Sequence, residues 1–496
     1  MMRAGTRFVM LMLPLVAAAC SDKATEGPLN VSVIGDPPKI VDPNRDPLST
    51  PDAVLMQATA QGLIRFDGSG QIEPGLAIRW DVSDDGLYYT FRLDDNAGID
   101  AENVARRLRV SIARSSRNPL KPMLGAIDEI VAVTPQVIEI RLTAPRPNLL
   151  QLLAQPEMAL IASRTRGGMG PLSIDERGTG GLVIGPMEDE AEGAEQDEKE
   201  LARRQVRLRG ERAALAVVRF RGGGAQAVLG GRFQNLAVAR AGGLPANLLH
   251  FDPVSGLFGL AIVDTKGILG DPDARRALSM VLDRERIVAT FGVKGWRPAT
   301  TLVPGGIADL PSPAAPDWAG MPLPERRTIA AGTFARLRAD QARGDDEKDQ
   351  DARPRVRVSL PEGPGSRLLF TLLRLDWARI GIDAEATGPD DKADLKLVDL
   401  VAPTDSGSWY LRQFTCDRSP ACNAAVDEAL QAGRAAPSLA ERNMLLAQAD
   451  QALTRITPFI PIAMPLRWSL VSPELTGFRE NPRGVHPVNH LRPERR

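Results

Sequence analysis

Histidine is scarce. His250, His486 and His490 are the only three in 496 residues. A histidine-rich metal centre is therefore excluded, and imidazole bases for catalysis are few. Aromatic residues make up 4% of the chain, which leaves little stacking surface. Neither charge sign is in surplus: 61 Lys+Arg face 62 Asp+Glu, for a net charge of -1. That balance argues against a nucleic-acid binder, whose affinity comes from an excess of Lys and Arg facing phosphates. No stretch holds the ~18 consecutive apolar residues needed to span a bilayer. His-Glu-x-x-His, Gly-x-Ser-x-Gly, a phosphate-loop lysine motif and Cys-x-x-Cys are all missing. Carboxylates are plentiful, but no spacing singles out an acid–base pair. The expectation is a protein that is not an enzyme and takes no metal or cofactor.

What is present points to a large globular fold. Hydrophobic residues are 43% and charged residues 25%, ordinary values that exclude wholesale disorder. At ~150 residues per domain the length suggests about three units, and 45 Gly with 40 Pro suggest many loops. Leu29, Val31 and Val33 alternate as a first strand that ends at Gly35-Asp36-Pro37-Pro38. Leu87, Tyr89, Phe91 and Leu93 share one strand face, and Asp100 caps the helix that follows. Residues 127–133 and 137–142 read as a hairpin, and Asn148 as the cap of a short helix. Asp271-Pro272-Asp273 combines an N-cap, a first-turn proline and an acid at the positive end of a helix predicted over 274–289. Pro-rich 298–324 reads as extended surface chain. Ser366 opens an apolar helix that Gly381 ends, and Ser438-x-x-Glu441 is a capping box for a helix to about Arg455. The segments 459–464 and 466–471 read as closing strands. Interleaved strands and helices give a mixed α/β class. Residues 188–200 hold eight acids and one Lys, the pattern of a solvated loop. His486-x-x-x-His490 has metal-ligand spacing, but Pro487 breaks the helix that such a pair would need.

The N-terminus addresses the compartment. Residues 1–7 carry two Arg and no acid, and 8–19 are apolar apart from Pro14. Twelve residues reach about 18 Å, short of a ~30 Å bilayer core, so this is a signal-peptide core rather than an anchor. Val16-Ala17-Ala18-Ala19-Cys20 resembles the bacterial lipobox, in which the cysteine is acylated and becomes the first mature residue. An ordinary cleaved signal with a chance cysteine is the alternative. Acyl chains on Cys20 hold a protein at a membrane by ~0.8 kcal/mol per buried CH₂, which gives a periplasmic, membrane-tethered expectation. Cys416 and Cys422 remain, an even number in an oxidising compartment. A disulfide between them, or two buried thiols, are the two readings.

Three stretches then carry a resemblance: Gly62-Leu63-Ile64-Arg65-Phe66-Asp67, Ile72-Glu73-Pro74-Gly75-Leu76-Ala77, and Trp80-Asp81-Val82-Ser83-Asp84-Asp85-Gly86 leading to Tyr89-Thr90-Phe91-Arg92-Leu93. Further pieces are Pro145-Arg146-Pro147-Asn148-Leu149-Leu150, Asp273-Ala274-Arg275-Arg276-Ala277-Leu278-Ser279 and Pro458-Phe459-Ile460-Pro461-Ile462. Together they resemble the family 5 extracellular solute-binding proteins of peptide- and nickel-type ABC importers. The resemblance implies a type II periplasmic-binding fold of two lobes, with an extra subdomain in the first. Its implied division is a signal peptide at 1–19, a lipidated tether at 20–28, and a first lobe at 29–265 with the subdomain at about 49–174. A second lobe at 266–460 and a return to the first at 461–496 complete it. The hinge is expected at Asp264, Thr265 and Lys266 and again near 457–461. The implied function is capture of a small polar solute, such as a peptide, between the lobes of a monomer. The implied partners are the permease subunits in the inner membrane.

Family members often carry Trp-x-x-Asp-Tyr in the second lobe, where the Asp pairs with a peptide's amino group. Here the stretch reads Leu400-Val401-Ala402-Pro403-Thr404, flanked by Asp399 and Asp405. Ligand contacts are expected from Asp36 and Pro37, and from Asp405, Trp409 and Arg412, with Arg412 suited to a ligand carboxylate. The competing readings are an envelope lipoprotein of the same fold without transport, and an extracytoplasmic hydrolase.

Overall fold

The computed structural model describes residues 27–96, 98–161, 169–178, 180–186, 204–342 and 353–493. Cys20, the signal segment and the acidic run at 188–200 lie outside the described residues.

The first sheet is nucleated by β1 (Leu29–Ile34), whose side chains are mostly buried on both faces. That burial suits a central parallel strand. After β1, helix α1 (Thr50–Thr59) starts at a capping box made by Ser49 and Asp52, with proline in its first turn. The chain then builds the subdomain. A ribbon of β2 (Ile64–Phe66) and β3 (Ile72–Pro74) precedes β4 (Ala77–Val82), β5 (Tyr88–Leu93), α2 (Ala101–Ile112), β6 (Ile127–Thr134) and β7 (Val137–Leu142). These four longer strands form an antiparallel sheet in the order β4-β5-β7-β6. Tyr89, Phe91 and Leu93 face the subdomain core with Val104 and Leu108 of α2. Asp100 caps α2 by accepting from the Asn103 amide. Helix α3 (Leu149–Leu153) closes the unit, but Asn148 makes no cap hydrogen bond there.

The chain returns through β8 (Ser173–Gly178), β9 (Gly181–Gly185), β10 (Val206–Glu211), α4 (Ala213–Arg221), β11 (Ala227–Arg232), α5 (Leu236–Ala241) and β12 (Leu249–Asp252). The second lobe follows: β13 (Gly256–Ile262), α6 (Pro272–Met280), α7 (Arg284–Phe291), α8 (Leu323–Ala342), β14 (Arg355–Ser359), α9 (Pro364–Ala378), β15 (Asp383–Thr387), β16 (Leu395–Val401), α10 (Gly407–Leu411), α11 (Ala424–Ala435), α12 (Leu439–Ile456) and β17 (Phe459–Ala463). Finally β18 (Arg467–Val471) rejoins the first lobe. The first sheet has seven strands in the order β12-β18-β11-β1-β10-β9-β8, and the second has five in the order β15-β14-β16-β13-β17. The result is an α/β protein of two lobes, one with an added antiparallel subdomain.

Strand pairing corrects two expectations. β13 pairs with β16 and β17 of the second sheet, so the chain passes between lobes at 253–255 and returns at 464–466. Asp264, Thr265 and Lys266 follow β13 inside the second lobe, where the Val263 and Asp264 amides donate to Asp394 O. The apolar run of β13 marks a buried strand, but nothing in its composition says which sheet it joins. The helix predicted over 274–289 is two helices. The Asp283 side chain caps α7 at the Arg286 amide, and its own amide donates to Asp376. Residues 298–322 are irregular as expected, yet Val303, Leu310 and Trp318 are buried, so the segment packs into the lobe.

One hydrophobic cluster runs through both crossings. Phe233 of the first lobe meets Phe258 of the second edge-on, 4.9 Å between ring centres. Trp468 belongs to the same cluster and donates from its indole to Arg232 O at 2.9 Å. A hinge axis displaces its surroundings least, so a core shared at the crossings is compatible with motion elsewhere.

Candidate functional site

β1 runs parallel to β10 and β11, and β14 runs parallel to β15 and β16. Ligands of open α/β sheets bind beyond the carboxyl ends of such strands. Here two sheets turn those ends toward each other. Gly35-Asp36 after β1, Arg212 after β10 and Gln234 after β11 face Leu360–Gly363 after β14 and Thr387 at the end of β15 across a cavity of about 920 Å³. The first turns of α4 and α9 line it from opposite lobes. The lining carries both signs: Asp36 and Glu362 against Arg212, Arg367 and Arg374.

Three residues of this lining also hold a polar atom, buried away from the cavity, that finds no hydrogen-bond partner among the described residues. The atoms are Gln234 Oε1 from the first lobe, and Ser366 Oγ and Thr387 Oγ1 from the second. A buried polar group left unmade costs about 1–3 kcal/mol.

The opposite edge of the cleft is latched. Asn148 Nδ2 donates to Thr404 Oγ1 at 2.6 Å. Gln155 Nε2 donates to Pro403 O at 2.6 Å. Gln151 makes two bonds with Asp405, donating to its Oδ2 at 3.0 Å and accepting from its amide at 2.9 Å. Arg483, on the C-terminal return, forks onto the same carboxylate at 3.1 and 2.6 Å. Burial pushes the Asp405 carboxyl up, but the Arg483 fork and Gln151 outweigh it and hold the group below its usual range. Asp399 is taken in the same way, by Arg467 Nη1 at 2.7 Å.

The expected contact residues are thus dispersed. Asp36 lines the interlobe cavity, and with Pro37 it also lines a second cavity inside the first lobe, against α2. Asp405 belongs to the latch. Trp409 is 9% exposed and packs its ring 4.8 Å from Tyr410. Arg412 lines a separate small cavity beside the subdomain. Cys416 and Cys422 are joined by a disulfide. His486 and His490 are not a metal pair: His486 faces Asp252 and His490 faces Glu73, each at 3.0 Å. The sequence reading passed over Arg483, Gln151 and Gln234. None sits in a motif, and only tertiary packing brings them to the cleft.

Comparison with known proteins bears on the fold. Residues 71–200 match the model of the bacterial extracellular solute-binding proteins, family 5 middle region. The dipeptide-binding protein of Pseudomonas aeruginosa is 22% identical, over 85% of this chain and 86% of its own. The fold matches that of the murein tripeptide binding protein MppA of Escherichia coli at a TM-score of 0.76, with 19% identity over 95% of this chain and 99% of the other. Residues 71–200 thus resemble solute-binding family 5, and the whole fold resembles that of peptide-binding proteins. Proteins of this family are binding proteins rather than enzymes. Against the unliganded open form of MppA the TM-score is 0.64, at 18% identity over 94% of this chain and 97% of the other.

Proposed function

We propose that this chain is the solute receptor of an ABC importer, and that it captures a short peptide or peptide-like zwitterion in the interlobe cavity. The observation that carries the reading is the cavity of about 920 Å³ between opposing lobes, lined by Asp36 and Glu362 and by Arg212, Arg367 and Arg374. The names of the relatives support the ligand class: a dipeptide in one case and a murein tripeptide in the other. A guest that bonds to both lobes binds the closed arrangement better than the open one, and it shifts the hinge by that difference alone. The permease then reads the closed surface, and acylated Cys20 keeps the receptor at the membrane.

The ammonium anchor common in peptide-binding members is replaced. Pro403 stands in that stretch, and Asp399 and Asp405 on either side are each committed to an arginine. The solute's amino group is instead assigned to Asp36 and Glu362, and its carboxylate to Arg212, Arg367 and Arg374. None of the three histidines lines this cavity, and that disfavours a hydrolase. Native mass spectrometry of the protein purified from its host tests the proposal. A co-purified small zwitterion, released on denaturation and rebound at one per chain, is expected. A protein that carries no small molecule and takes up no di- or tripeptide would refute it.

A further inference from the structure

A small cavity lies where the subdomain rests on the second lobe, and its lining is strongly basic. Four guanidiniums line it: Arg146 from the subdomain, and Arg412, Arg434 and Arg442 from the second lobe. No acid lines it among the described residues. Asp309 offsets one charge from outside, its Oδ2 3.3 Å from Arg442 Nη2. Arg146 and Arg442 are only 8% and 6% exposed.

The remaining partners are neutral. Arg146 donates to Pro145 O and Arg434 O, each at 2.6 Å. Arg412 reaches Ser408 Oγ at 3.2 Å and Leu430 O at 3.4 Å. These oxygens hold the side chains in place without cancelling their charge. Burial, then repulsion among the arginines, pushes Arg146 and Arg412 down to about 10. Holding the buried Arg146 and the half-buried Arg412 with no carboxylate partner works against folding unless something of opposite sign joins them.

We infer that this cavity is a site for a small oxyanion, separate from the solute cleft, and that its occupant clamps the subdomain to the second lobe. Size sets the ligand class. The space left to the centre of a water-sized sphere is about 20 Å³, little more than one water requires. That excludes a peptide, and a phosphate or a carboxylate enters where the exposed Arg434 side chain swings aside to make room. Geometry sets the consequence. Arg146 sits on one side of the closure contact and the other three on the opposite side, so the four-arginine site is complete only when the lobes are shut. The oxyanion therefore favours closure, and by linkage it and the solute raise each other's affinity by the same factor.

The test is thermal unfolding of the whole mature protein as chloride is exchanged for inorganic phosphate, or for acetate, at fixed ionic strength. A saturable rise in Tm is expected with phosphate or acetate, and the response of the two salts distinguishes a tetrahedral from a planar guest. Arg412→Gln and the exposed Arg434→Gln should each weaken the apparent anion affinity at least tenfold. Arg434→Gln carries the test alone if Arg412→Gln does not fold. A Tm indifferent to both oxyanions, or a response unchanged in the variants, would overturn the site. So would a solute affinity, measured calorimetrically, that is the same with and without a saturating oxyanion.

Discussion

Gly365 offers a way to wedge the lobes apart without harming either one. It lies in the first turn of α9, and its Cα faces the backbone that follows β11 in the other lobe. A Cβ added there would stand 2.2 Å from Phe233 O and 2.8 Å from Gln234 Cα. A carbon and a carbonyl oxygen rest at about 3.3–3.6 Å, so the two lobes must separate by about 1 Å at this point. The obstacle is backbone on the Phe233 side, and no rotamer change relieves it. Within α9 itself alanine is preferred to glycine by about 1 kcal/mol, so the second lobe is not weakened. Overpacking costs about 1–3 kcal/mol. Borne by the closed state alone, that corresponds to a solute Kd roughly 5- to 150-fold weaker. Isothermal titration with the co-purified solute reads it directly. A Kd within twofold of wild type would refute the reasoning. So would an equal loss of stability in the solute-free protein, since the contact would then be permanent packing rather than part of closure.

Two further outcomes concern stability. Asp399 is the carboxylate that pairs with Arg467 near the crossings, at 2.7 Å. Asp399→Asn leaves Arg467 without its partner and is expected to cost about 3–5 kcal/mol in denaturant unfolding; a loss under 1 kcal/mol would contradict the assignment. Asp450 is 1% exposed, and burial pushes its carboxyl up to about 6 although the Ala314 amide donates to it at 2.6 Å. Because the folded state holds this proton more tightly than the unfolded state, the contribution is full below about pH 4. It is lost as pH rises to about 6, a change on the order of 3 kcal/mol. Asp450→Asn should flatten that part of the stability–pH profile, and an unchanged slope would rule the group out.

Local signals in the sequence translated well, because they act within a few residues. Asp100, Asp271 and Ser438 each cap the helix expected of them, and β1, β6 and β7 fall where alternation placed them. What failed was information that lives in pairing. The run Gly256–Ile262 was plainly a buried strand, yet only its partners β16 and β17 assign it to the second lobe. Asn148 had the grammar of a cap, but it makes no cap bond to α3 and instead donates across the cleft to Thr404. The site was legible in part. Asp36 emerged from the strand-to-turn signal after β1, whereas Asp405 and Arg412 were drawn into the latch and the arginine cavity by residues 78 positions away and by the subdomain. Ser366 was read only as a helix start, because an unpartnered hydroxyl is invisible until its surroundings are known.

The account stands on lobes that shut over a guest, and small-angle scattering across a solute titration measures that motion most directly. The solute-free protein should be more extended than the latched structure, with a radius of gyration that falls to the latched value at one solute per chain. A radius already at that value without solute, and unmoved by it, would contradict the account.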